Sequence, residues 1–187
     1  STSNIEIGDS FGYSVDISEN DSRYIVGAPY KDSNKGRVYV YNNTNTTTPT
    51  ELIAPNSGNF GFSVALNGDG TKAIVGAPYN GSDMSGSVYT YNLPSTTATL
   101  LSPSSPSDSA LFGYSVHISS DGSKTIVGEP YENAENHGAA YIFDSSAQQE
   151  AKLSPSDTYT DGNFGYSVNI DSDGNTAVIG SIGSDNK

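Results

Sequence analysis

Bulky and small residues alternate at four places along the chain. Phe11, Tyr13, Val15 and Ile17 fall on one side of a period-two pattern, with Gly12, Ser14, Asp16 and Ser18 on the other. The same split recurs at Phe60/Phe62/Val64/Leu66 against Gly61/Ser63/Ala65/Asn67, and again from Phe112-Gly113 and from Phe164-Gly165. Alternation of this kind predicts a strand. A second short apolar run follows each copy, at Ile25-Val26-Gly27, Ile74-Val75-Gly76, Ile126-Val127-Gly128 and Val178-Ile179-Gly180. The turn between the two carries Asp69-Gly70, Asp121-Gly122 or Asp173-Gly174, the pairs a tight hairpin favours because one residue must take a positive φ. The first copy has Asn20-Asp21-Ser22 there, a less ideal turn. A third run begins at Gly36-Arg37-Val38-Tyr39, Gly86-Ser87-Val88-Tyr89 and Gly138-Ala139-Ala140-Tyr141, and a weaker fourth ends at Leu52-Ile53, Leu100-Leu101 and Lys152-Leu153.

Four short strands in a unit of about 50 residues predict the blade of a β-propeller. The units run over approximately 11–54, 60–102, 112–154 and an incomplete 164–187. The innermost strand of a blade packs on neighbours at both faces. Rings of one blade set against Gly and Ser of the next fit that geometry, so Phe11, Phe60, Phe112 and Phe164 are expected to be buried at equivalent places.

The ordered combination Phe-Gly-x-Ser-Val, then Gly-Ala-Pro, then Gly-x-Val-Tyr resembles the FG-GAP repeat of integrin α-subunit propellers and their microbial and viral relatives. About three and two-thirds repeats cover nearly the whole chain. The resemblance implies an all-β propeller of four-stranded antiparallel blades in a larger ring of about seven, with ligand recognition on loops at one end. It also implies calcium as the usual cofactor.

Composition narrows the function. The net charge is −13, with 8 basic against 21 acidic residues, which gives no attraction for a phosphate backbone and argues against nucleic acid as a partner. No apolar run reaches the roughly 18 residues of a membrane helix, so no membrane insertion is expected. Without Cys there are no disulfides, thiolate metal sites or Cys nucleophiles. Twenty Gly and nine Pro break helices, while 13 Tyr and 6 Phe supply large surfaces to bury.

The turns are too short to wrap an ion needing 6–8 oxygens, and only Asp171 with Asp173 alternates carboxylates. No cofactor is expected, and calcium has its one weak candidate there. Neither His117, on the small side of a first strand, nor His137, in a turn, sits in a catalytic motif, and no nucleophile elbow or phosphate loop occurs. An enzyme is not expected. Glu129 breaks the repeat by replacing the Ala of Ala28 and Ala77; with Tyr131 and Glu132 it forms a weak ligand-contacting candidate, drift at an exposed strand end being the simpler account. Four sequons, at Asn20, Asn42, Asn45 and Asn80, are no more than the composition yields by chance. The Thr/Asn-rich tract 42–50 suits an exposed, glycan-carrying loop of a secreted protein.

The sequence therefore points to a non-catalytic extracellular or surface interaction module of the adhesion type, with a protein or glycan ligand or further copies of itself as partner. Two alternatives stay open. One is a structural component of a coat, fibre or virion; the other is a carbohydrate-binding propeller, for which Tyr30, Tyr79 and Tyr131 offer stacking faces. Ile5-Glu6-Ile7 matches the outer strand of a preceding unit, and Ser184-Asp185-Asn186-Lys187 falls just before a third strand. Residue 187 is accordingly expected not to be the natural end of the fold, the ring being completed by a longer parent or by a second copy.

Overall fold

The computed structural model describes residues 5–56, 58–156 and 160–183. The first blade is the antiparallel meander β1 (Ser14–Ile17), β2 (Arg23–Ala28), β3 (Arg37–Asn42) and β4 (Asn45–Leu52), with one irregular helical turn, α1 (Lys31–Asn34), between β2 and β3. The second is β5 (Ser63–Leu66), β6 (Lys72–Ala77), β7 (Ser87–Asn92) and β8 (Ala98–Leu101). The third is β9 (Ser115–Ile118), β10 (Lys124–Glu129), β11 (Ala139–Asp144) and β12 (Gln149–Leu153). β13 (Ser167–Ile170) and β14 (Ala177–Gly180) form a two-stranded fourth sheet. The expected all-β propeller architecture is what the chain adopts.

Register is identical in all four units. Ser14, Ser63, Ser115 and Ser167 pair with Gly27, Gly76, Gly128 and Gly180. The hairpin turns are equivalent too. Gly70, Gly122 and Gly174 take φ near +70°, and Asp21 occupies the same left-handed position at φ 55° in the first copy.

Each blade has a front face, carrying the Val and Ile or Leu of its first strand, and a back face, carrying the Ile of its second. Front meets back in three joints. Ile25, Val38 and Leu52 pack on Phe60, Val64 and Leu66; Ile74, Val88 and Leu101 pack on Phe112, Val116 and Ile118; Ile126 and Ala140 pack on Ile170 with Val168 and Ile179. The middle strands are thus apolar on both faces because both are covered.

The two halves of the motif meet at these joints. The Ser14, Ser63 and Ser115 hydroxyls donate to the carbonyls of Gly61, Gly113 and Gly165 in the next blade, each at 2.8 Å. That contact brings the backbones so close that a Cβ on Gly27 would lie 2.1 Å from the Gly61 oxygen. Gly61 itself sits at φ +90°. Steric closeness therefore demands glycine in Gly-Ala-Pro, and backbone conformation demands it in Phe-Gly.

Three expectations need correction. The Phe-Gly pair is not part of the first strand: it forms a turn ahead of it, and Phe60, Phe112 and Phe164 instead bridge back to Gly36, Gly86 and Gly138 of the preceding blade. The four Phe are not equally buried. Phe60 and Phe112 are sealed in their joints, whereas Phe164 is half-buried and Phe11 is 39% exposed, since no blade among the described residues faces it. Ile5-Glu6-Ile7 forms no strand, although Ile5 packs on Ala28, Tyr39 and Tyr41. Residues 184–187 lie outside those described.

Candidate functional site

The blade end where β1 begins and β2 finishes collects the variable connections. They run between the second and third strands (29–36, 78–86, 130–138) and from each fourth strand to the next blade. The second ring of each Phe-Gly-ring triplet meets its counterpart in the next blade. Tyr13, Phe62, Tyr114 and Tyr166 form an arc with centroid spacings of 4.9, 5.1 and 4.9 Å. Tyr30, Tyr79 and Tyr131, each following the Pro of its repeat, make a second row edge-on to the first at 6.0, 5.8 and 6.3 Å. Edge-to-face and tilted pairs of this kind rigidify one another. Burial raises the Tyr13, Tyr79 and Tyr114 phenols above their ordinary pKa, and neighbouring phenols add to the shift. These side chains present neutral hydroxyls and partly exposed ring edges at neutral pH.

Beside the arc, a cleft of about 910 Å³ opens between the first two blades, lined by Asp32, Arg37, Ile53, Tyr79 and Asn80 among others. Arg37 spans its wall, donating to Asp32 and Glu51 at 2.6 Å each. Both carboxylates favour the charged guanidinium, so its pKa is raised even though burial opposes this. Tyr79, a fixed cation and amide groups around one cleft are equipped to bind a ligand.

The sequence-chosen residues fall in different places. Glu129 is not at an exposed strand end; it is fully buried on the front face of the third blade. Its Oε2 accepts a 2.7 Å hydrogen bond from the Tyr141 hydroxyl, and its Oε1 has no partner among the described residues. Tyr131 belongs to the aromatic row, and Glu132 accepts from Lys152 at 2.9 Å. Glu132 is near enough to Glu129 to help raise its pKa, while Tyr131 faces Tyr114. His117 accepts the Ile170 N–H at Nδ1 across a joint, the role Asp16 performs for Leu66, and burial holds its pKa down. His137 lies beside Glu135 in a loop.

Asp171 occupies the turn position of Ser18, Asn67 and Ser119. Each of these clamps its hairpin by accepting the backbone N–H of the residue five positions on. The Asp171 carboxylate does the same for Thr176 at 3.0 Å, and also accepts from Asn175 at 2.7 Å; these bonds lower its pKa. Asp173 accepts from Ser172 at 3.1 Å. Among the described residues no group of three or more His, Asp and Glu is placed to hold a metal. With Oδ1 of Asp171 committed to the turn, the melting temperature is expected to be the same in millimolar calcium and in chelator. A rise of many degrees with calcium would refute this.

Of the sequon asparagines, Asn20, Asn45 and Asn80 use their amide nitrogens internally, on Asp69, Thr48 and Ser87. Asn42, exposed at a strand end, accepts from Arg23 at its side-chain carbonyl oxygen. The arc was missed in the sequence, although the signal was present: the residue after every Phe-Gly is aromatic.

Compared with known families, the chain matches the FG-GAP repeat model at residues 2–41, 55–91, 96–143 and 147–187. A search of curated proteins finds none that matches it.

Proposed function

The chain belongs to the FG-GAP repeat family, and from that premise we propose that it is a non-catalytic adhesion or recognition module working outside the cell or on a surface. The observation that carries this is the aromatic double row beside the Arg37 cleft, on the end of the blades where the connections vary from copy to copy. Tyr30 and Tyr79 are more than a third exposed there. Such an end can change its ligand by changing loops while the joints stay intact. The acidic surface and the exposed Thr/Asn-rich β3–β4 region, with Asn42 its most available glycan acceptor, suit a secreted protein. Among the described residues no helix is long and apolar enough to cross a membrane.

The same row favours a carbohydrate as the ligand, because tyrosine rings and hydroxyls together match the apolar faces and hydroxyl edges of sugars. The test is binding of the chain to a glycan array and to a panel of cell-surface proteins, repeated with Tyr79→Ala. Binding weakened about tenfold or more, with an unchanged melting curve, is the expected result. Binding indifferent to Tyr79 and to Arg37→Ala would remove this end as the site.

A further inference from the structure

We infer that Asn80 is a self-modifying position, its side-chain amide being attacked by the backbone nitrogen of Gly81 and converted to a carboxylate on the wall of the cleft. The chain has two Asn-Gly pairs, Asn67-Gly68 and Asn80-Gly81, and the fold treats them oppositely. A glycine has no side chain to shield its nitrogen, so the surrounding structure decides whether that nitrogen reaches the amide carbon.

At the second pair the approach is already made. The Gly81 N–H donates to Oδ1 of Asn80 at 2.9 Å. That bond gathers the five ring atoms of a succinimide: the Gly81 nitrogen with Cγ, Cβ, Cα and the carbonyl carbon of Asn80. Gly81 is exposed, so base and water reach it. The main chain of Asn80 is held in place, donating to the Ala77 carbonyl and accepting from the Gly86 N–H, at 3.1 Å each. Reacting groups fixed side by side have less entropy to lose on meeting. The first pair is locked instead. Asn67 is 3% exposed, its Oδ1 accepts the Lys72 N–H at 2.8 Å, and the Gly68 N–H donates to the Ser120 carbonyl at 2.9 Å. Both bonds must break before the same attack can begin there.

In the reaction the Gly81 nitrogen bonds to Cγ of Asn80 and the Cγ–Nδ2 bond breaks. The proton of the attacking nitrogen passes through solvent to the departing one, which leaves as ammonia. Water then adds across either C–N bond of the imide, and position 80 becomes aspartate or isoaspartate. The fold has a place for the aspartate. Nδ2 of Asn80 donates to the Ser87 hydroxyl at 2.7 Å and reaches the Tyr89 hydroxyl at 3.4 Å. Both hydroxyls can turn and donate to a carboxylate oxygen in its place. The cleft, where Arg37 is already matched by Asp32 and Glu51, gains a further negative charge. The Asn80-Gly81-Ser82 sequon is erased at the same moment.

Peptide mapping by mass spectrometry tests this, on the native 187-residue chain kept in warm, mildly alkaline buffer and on the same chain in urea. In the native chain, aspartate and isoaspartate should accumulate at position 80 about tenfold or more faster than at position 67. In urea, where neither pair is held, the two rates should converge. Asn80→Asp should melt at the wild-type temperature. Equal rates at the two positions in the native chain would overturn the proposal, as would a native Asn80 that stays intact while the unfolded chain reacts. A difference that persists in urea would assign the selectivity to neighbouring residues and overturn the role given to the fold. An Asn80→Asp chain that melts many degrees lower would show that Ser87 and Tyr89 do not accept the product.

Discussion

Phe112→Ala is expected to destabilise the fold by about 3–5 kcal/mol, the range for emptying a sealed aromatic site. Its ring lies in the joint between the second and third blades, edge-on to Tyr141 and Phe143 at centroid distances of 5.6 and 6.0 Å. No solvent can fill the space, and the neighbouring strands are fixed by ladders on both sides. The matched control is Phe11→Ala, the same motif position on the open front face. With part of its ring in water and one edge contact to Tyr39, its loss should cost under about 1 kcal/mol. Urea denaturation of the two variants gives the comparison. Equal losses would mean that the joints contribute nothing beyond the motif's local conformation.

Glu129→Gln is expected to abolish a pH dependence of stability that the other repeats, with Ala28, Ala77 and Ser181 at this position, lack. Burial pushes the Glu129 carboxyl up to about 7; the Tyr141 hydroxyl and Lys152 pull it back, and Glu132 adds to the rise. The folded chain therefore holds this proton at pH values where the unfolded chain, with a carboxyl of 4.5, has released it. Stability from this group is full below about pH 4.5, falls by about 1.4 kcal/mol per unit between 4.5 and 7, and levels off above, a total near 3 kcal/mol. His117 works in the opposite direction. Its lowered pKa favours the fold more as pH rises toward 6.5, so the wild-type profile is a sum of opposed slopes. Subtracting the Glu129→Gln profile from the wild type isolates the carboxyl. A difference that stays flat from pH 4.5 to 8 would show that the carboxyl is solvated in solution.

Blade architecture was legible in the sequence because joint chemistry is repeated in it. The ring-and-small alternation, the Asp-Gly turns and the invariant glycines each report a local constraint imposed four times. Single-copy features were not legible. That Glu129 points into a joint depends on strand register, since a shift of one residue would send it to the opposite face. The exposure of Phe11 depends on its neighbour and not on its own Phe-Gly-Tyr-Ser-Val motif, which is identical in the third and fourth repeats. The arc of Tyr13, Phe62, Tyr114 and Tyr166 was concealed by the glycine before it. A positive φ there breaks the period-two rule that had assigned both rings to one face. Asp171 reads as an ion-ligand candidate in the sequence because a clamped turn and a cation site both call for oxygen atoms at alternating positions.

The serine-to-glycine bond between blades has a consequence for how such chains can lengthen and shorten. The acceptor of each such bond is written in the Phe-Gly turn that opens one repeat, and the donor in the first strand of the repeat before it. An in-frame duplication or loss of one whole unit therefore leaves each surviving boundary with a matching donor and acceptor, wherever the cut falls. A lineage can change its number of blades in a single recombination event, without any intermediate in which an interface must be reinvented.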